Sequence, residues 1–145
     1  MTEISMAPEI SVTEMLHRFG IAPTSQRLQI GEILLTEKQH LSADQIITRL
    51  REIGASVSKA TVYNTLGLFA RRGLIREIIV DPTRIFYDSN TVEHHHFYDV
   101  DNGVLLDIDT DGLRLAGLPA PPAGATLEGI DVIVRIRRGG SAQHV

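Results

Sequence analysis

Three consecutive histidines, His94-His95-His96, are the densest chemistry in this 145-residue chain. Imidazole is the commonest metal ligand near neutral pH, but an ion needs roughly three to six donors gathered in space. If the segment enters a strand, His94 and His96 point to one side and His95 to the other. Asp99, Asp101, Asp107, Asp109 and Asp111 follow as an acidic run around two turns. Their spacing is not that of a calcium loop, so they read as solvated carboxylates. The chain has no cysteine, which excludes disulfides, thiol catalysis, iron–sulfur clusters and a structural zinc held by four thiolates.

A second segment, Ser58-Lys59-Ala60-Thr61-Val62-Tyr63-Asn64-Thr65-Leu66, carries a different chemistry. On a helix lying in a DNA groove, Ser58, Lys59 and Thr61 would fill the first turn, with Tyr63 and Asn64 on or near the outward face. Hydroxyls and an ammonium suit phosphates, a threonine methyl and a tyrosine ring suit thymine methyls, and Asn64 has the amide geometry for adenine. Arg27, Arg71 and Arg72 are placed to touch the duplex backbone. The same residues would also make an ordinary solvated helix face.

The elements that must position these groups are punctuated clearly. Val12, Met15, Leu16 and Phe19 share one helical face that Gly20 ends, and Thr24 caps a second helix bearing Leu28, Ile30, Ile33, Leu34 and Leu35. Ser42 and Gln45 form a capping box before Ile46, Ile47, Leu50 and Ile53, with Gly54 as the stop. Ser58 opens the fourth helix and Gly73 closes it. Leu74–Val80, the turn Asp81-Pro82-Thr83 and Arg84–Asp88 then read as a β-hairpin. Helices followed by a hairpin predict a winged helix-turn-helix, with Ser42–Gly54 and Ser58–Arg72 joined by Ala55-Ser56-Val57.

Beyond it the pattern is mostly β. His95–Val100 and Val104–Asp109 flank the turn Asp101-Asn102-Gly103, Gly112–Leu118 is expected as a short helix, and residues 130–137 alternate as a half-buried strand. The fold class expected is α+β, a winged helix-turn-helix over residues 1–88 followed by a small α/β dimerisation domain over 89–145. The second piece is too small for a self-sufficient core, so a second copy is expected to complete it.

Charge divides along the same line. Between His17 and Glu77 there are nine Lys and Arg against five Asp and Glu; from Arg84 to Val145 there are five against nine. A basic front and an acidic back suit two jobs. No apolar run approaches the roughly 18–20 residues of a membrane span, and the N-terminus lacks a signal-peptide pattern, so a soluble cytoplasmic protein is expected.

Several separated motifs together resemble the ferric uptake regulator family: Pro23-Thr24-x-x-Arg27, His40-Leu41-Ser42-Ala43, Ala60-Thr61-Val62-Tyr63 and Gly73-Leu74-Ile75. Phe86-Tyr87-Asp88-Ser89-Asn90, His94-His95-His96-Phe97 and the stretch from Asp131 to Arg138 resemble its iron response regulator branch from alphaproteobacteria. The resemblance implies a homodimeric repressor that binds palindromic, AT-rich operator DNA under the control of iron. It implies that Tyr63 contacts bases and that Arg27 approaches the duplex. It also adds His40 and Asp88 to His94 or His95 and His96 as donors, a nitrogen and oxygen set suited to Fe(II), Mn(II) or Zn(II), and puts Asp107 near a second metal position. Within the branch it offers heme as the effector instead, ligated by one or two of the imidazoles and releasing the DNA when plentiful.

The chain departs from the family pattern in three places. Ala22 stands where many members have a groove-reaching Lys or Arg, Phe97 stands where many have a further histidine, and the cysteine pairs that clamp zinc in relatives are missing. Two other classes stay open on the residues alone: a winged-helix regulator indifferent to metal, and a small non-heme metalloenzyme. The base-reading role assigned to Tyr63 is tested by Tyr63→Ala. Affinity for a palindromic operator should fall much more than affinity for random duplex, and equal losses would refute base reading by that ring.

Overall fold

A computed structural model describes residues 10–138. The chain divides into two compact units, the first running to Thr91 and the second starting at Val92.

In the first unit, helices α1 (Val12–Arg18), α2 (Ser25–Leu34), α3 (Ala43–Glu52) and α4 (Lys59–Arg71) each begin on a hydroxyl cap. Ser11, Thr24, Ser42 and Ser58 accept the backbone N–H three residues on, at 3.1–3.2 Å. Such caps satisfy amides that the first turn leaves without partners. Ser42 adds the reciprocal half of a capping box, its own N–H donating to Gln45 Oε1 at 2.8 Å. Gly54 and Gly73 follow α3 and α4 with φ of 75° and 83°, a left-handed turn that a side chain would strain. The apolar faces meet in one core, with Leu16, Ile30, Leu34, Ile46, Leu50, Val62, Leu66 and Phe69 all fully buried.

Against the helices lies a three-stranded antiparallel sheet, ordered β1 (His40–Ser42), β3 (Arg84–Asp88), β2 (Arg76–Asp81). Strands β2 and β3 are the expected wing. Their register slips between Ile79 and Asp81, and Asp81 closes the turn by accepting both the N–H and the hydroxyl of Thr83 at 2.8 Å. Strand β1 was not expected from the sequence. Three residues carry no periodicity of their own, and it exists only through its pairing with β3.

In the second unit β4 (His96–Asp99) is the centre of a sheet ordered β5 (Val104–Asp107), β4, β6 (Ile133–Ile136). It runs antiparallel to β5 and parallel to β6. The short helix expected at 112–118 is replaced by a single 3-10 turn, Thr110–Gly112, and an irregular crossover. Leu115 and Leu118 stay exposed there, so a helix would have had no apolar stripe to bury. On one face of the sheet Phe97 lies between Leu106 and Val134, continued by Val104 and Ile136. All five are half-buried or exposed.

Asp99 ties this unit together. Its buried carboxylate accepts the backbone N–H groups of Asp101 and Asn102 and the Asn102 amide, and pairs with Arg138 Nε at 2.9 Å. The Asn102 amide, ahead of Arg138 and the backbone donors, holds the Asp99 carboxyl below the usual range against the opposing effect of burial. A depressed carboxyl stabilises the fold above the unfolded-state value of about 4, and the contribution is lost as pH falls through the folded-state value. Asp99→Asn should therefore lower the melting temperature at pH 7. The gap to the wild type should close as the pH is taken below about 4; a gap independent of pH would contradict this role.

Candidate functional site

The register of the second unit brings His96 opposite Asp107 across β4 and β5. His96 Nε2 lies 3.3 Å and His94 Nε2 3.5 Å from the same oxygen, Asp107 Oδ1, and the two rings stand 4.5 Å apart, centroid to centroid. One ligand atom from each of the three residues falls within 4.8 Å of the others. His94 and His96 are buried, whereas the Asp107 side chain is 56 % exposed and open to an arriving ion.

The backbone fixes which nitrogen of His94 is available. Its Nδ1 is 2.5 Å from the carbonyl oxygen of Val92, which can only accept, so Nδ1 bears the proton. In the neutral ring Nε2 then directs a lone pair at a carboxylate oxygen. A cation between them, a proton or a metal ion, would satisfy both acceptors at this distance. A backbone carbonyl holding Nδ1–H is also the usual outer partner of a metal-ligating imidazole.

His95 is held in the opposite tautomer. Its Nδ1 accepts the Val132 N–H at 3.0 Å, which leaves the proton of the neutral ring on Nε2. Neither nitrogen then has a lone pair to give. His94 thus keeps Nε2 for a ligand while His95 is engaged in the backbone, a difference invisible to sequence reasoning because it depends on Val92 and Val132 backbone groups.

In the first unit, His40 and Arg76 both face Asp88 across neighbouring strands, so the three occupy one row of the sheet β1-β3-β2. Asp88 is 1 % exposed, and its Oδ1 accepts the Asn90 N–H at 2.8 Å. His40 is half-buried, with its ring edge-on to Phe86. Arg76, absent from the sequence reading, could have been noticed only once the β2–β3 register was known.

On α4, Lys59, Tyr63 and Asn64 are exposed. Ser58 and Thr61 are engaged with each other: the Ser58 hydroxyl accepts the Thr61 N–H and donates to Thr61 Oγ1 at 2.9 Å. Arg71 is exposed, but Arg72 Nη1 donates to the Gly20 carbonyl at 2.8 Å and so joins α4 to the end of α1. Arg27 Nη1 donates to the Ala22 carbonyl at 2.9 Å. On β3, burial and then the charges of Glu77 and Tyr63 push the Tyr87 hydroxyl up to about 12, so it stays neutral at physiological pH.

Comparison with known proteins follows this geometry. The chain is 33% identical over 100 residues to the peroxide operon regulator of Bacillus subtilis, 69% of either protein. It is 32% identical over 92 residues to the peroxide-responsive repressor PerR of Staphylococcus aureus, where the match spans 62% of that protein's length. Among solved structures, the ferric uptake regulator of Pseudomonas aeruginosa with manganese superposes with a TM-score of 0.66 at 23% identity, over 90% of this chain and 99% of that one. The Vibrio cholerae ferric uptake regulator gives 0.66 at 19% identity, over 86% and 98%. At these identities the structures speak for the fold, and it is the expected α+β fold. These relatives are regulators and repressors, which removes the metalloenzyme reading. The model of the Ferric uptake regulator family matches residues 18–116, a stretch holding both α4 and the histidine–aspartate triad, and this chain belongs to that family.

Proposed function

We propose that the protein is a homodimeric, metal-responsive transcriptional regulator that binds palindromic, AT-rich operator DNA. The observation that carries the metal response is the convergence of His94 Nε2 and His96 Nε2 on Asp107 Oδ1, with the His94 tautomer set by Val92. Asp88 and His40 complete the proposed ligand set, a mixture of imidazole and carboxylate that suits Fe(II), Mn(II) or Zn(II). The resemblance to the iron response regulator branch favours iron as the effector. Heme is the second reading within that branch, and the tautomer of His95 argues against that ring as its axial ligand.

DNA is read by α4, Tyr63 and Asn64 meeting bases and Lys59, Arg27 and Arg71 meeting the backbone. Ser58 and Thr61 act first as the helix cap, and Arg72 first as a tie to α1. The dimer is built on the apolar face around Phe97, Leu106 and Val134, whose partial exposure marks a surface for a second copy. A twofold pair presents two α4 helices, and these engage adjacent half-sites when they lie about 34 Å apart. A metal that binds one dimer geometry better shifts the population toward it by that difference.

The experiment is a duplex titration with and without added Fe(II), Mn(II) or heme. His96→Ala should weaken Mn(II) binding at least tenfold and abolish the metal dependence of DNA affinity, while ligand-free DNA affinity stays near wild type. His95→Ala should keep the metal response. A response that survives loss of His94 and His96 together, or is lost with His95 alone, would refute this ligand assignment.

A further inference from the structure

One row of the sheet β1-β3-β2 sets a buried carboxylate between an imidazole and a guanidinium. His40 on β1 and Arg76 on β2 are both register partners of Asp88 on β3, so the three side chains stand on one side of the sheet with Asp88 in the middle. Directly opposed residues have Cβ atoms roughly 5 Å apart, well within the reach of an arginine. The next row on that side is Ser42, Phe86 and Ile78, and both of its apolar members are buried. Asp88 itself is 1 % exposed.

A carboxylate this deep, beside apolar neighbours, is costly to keep ionised without a positive partner. The Asn90 N–H gives it a hydrogen bond but no net charge. Arg76 brings a charge that no physiological pH removes. Its side chain is half-buried and has other contacts, yet Nη1 is buried without a hydrogen bond. In water all five donors of a guanidinium would be satisfied. Keeping one of them dry is unfavourable, and the attraction of Asp88 for the charge is what offsets it.

We propose that Arg76 is a built-in competitor of the metal ion, its guanidinium neutralising Asp88 in the metal-free protein. An arriving divalent ion takes the carboxylate only against that attraction and against the repulsion of the guanidinium itself. Arg76 thereby sets the free-metal concentration at which the regulator responds. This rests on the reading of Asp88 as a ligand and deepens it. A fixed charge acts on the charge of the ion and not on its identity, so Arg76 raises the threshold by the same factor for Mn(II) and Zn(II). The order between the two stays with the donor atoms. His40, on the other side of Asp88, is neutral as a ligand and does not oppose the ion.

The test measures Mn(II) and Zn(II) affinities of the full-length protein by competition with a chelating dye, and melting temperatures with and without Mn(II). Arg76→Met keeps most of the stem and removes the charge; it should tighten both ions about tenfold. Arg76→Gln, neutral but polar, should tighten them by the same factor, so the result does not depend on how methionine packs. Arg76→Lys should bind metal as the wild type does. Without metal, Arg76→Met should melt below the wild type, and saturating Mn(II) should close the gap by neutralising Asp88 in place of the guanidinium. Adding Asp88→Asn to Arg76→Met should recover the metal-free melting temperature. Unchanged or weaker metal binding in both neutral variants, as expected of a residue that only orients Asp88, would overturn the competitor role, and so would a gain for one ion alone. A wild-type protein that binds neither ion, or whose binding is untouched by Asp88→Asn, would instead overturn the reading of Asp88 as a ligand.

Discussion

A neutral imidazole whose Nδ1 is tied to a carbonyl has one lone pair left, and in this chain that lone pair faces a carboxylate. A cation in the gap would satisfy both His94 Nε2 and Asp107 Oδ1, and His96 brings a second imidazole nitrogen to the same oxygen. The rest of the second unit is arranged to hold that meeting in place. The β4–β5 register sets His96 against Asp107, the Asn102 turn fixes the register, and Asp99 fixes the turn and holds Arg138 beside it. A site whose donors are set by backbone bonds reorganises little when an ion arrives, so binding energy goes to coordination instead of to ordering the ligands.

The same reliance on local bonds marks the first unit. Its helices begin on four hydroxyl caps and three of them, α1, α3 and α4, end on glycines, so α4 is presented with its start and stop fixed by local bonds. Several polar residues at the ends of α2 and α4 have duties inside the protein: Ser58 and Thr61 cap, Arg72 braces α1, and Arg27 leans on Ala22. The exposed remainder, Lys59, Tyr63 and Asn64, lies on the outer face of α4.

Much of this was legible in the sequence because it is local. The Ser42–Gln45 box, the glycine stops, the Asp81-Pro82-Thr83 turn and the Asn102-Gly103 turn each announce themselves within a few residues, and the structure has them. What was not legible depends on partners far along the chain. Strand β1 needs β3, Arg76 meets Asp88 only through the wing register, and the opposite tautomers of His94 and His95 are imposed by Val92 and Val132. The expected helix at 112–118 had leucines but no surface to bury them against, and propensity alone does not sustain so short a helix.

His94 and His95, adjacent in the chain, are held in opposite tautomers, and only His94 keeps an Nε2 lone pair that faces Asp107 beside His96. The most direct measurement is nitrogen NMR of the imidazoles in protein carrying ¹⁵N-labelled histidine, followed as Zn(II) is added. We expect the Nε2 signals of His94 and His96 to move on metal binding, with His94 protonated at Nδ1 throughout, while His95 stays unchanged with its proton on Nε2. A metal-induced shift on His95, with His94 and His96 unmoved, would contradict the account.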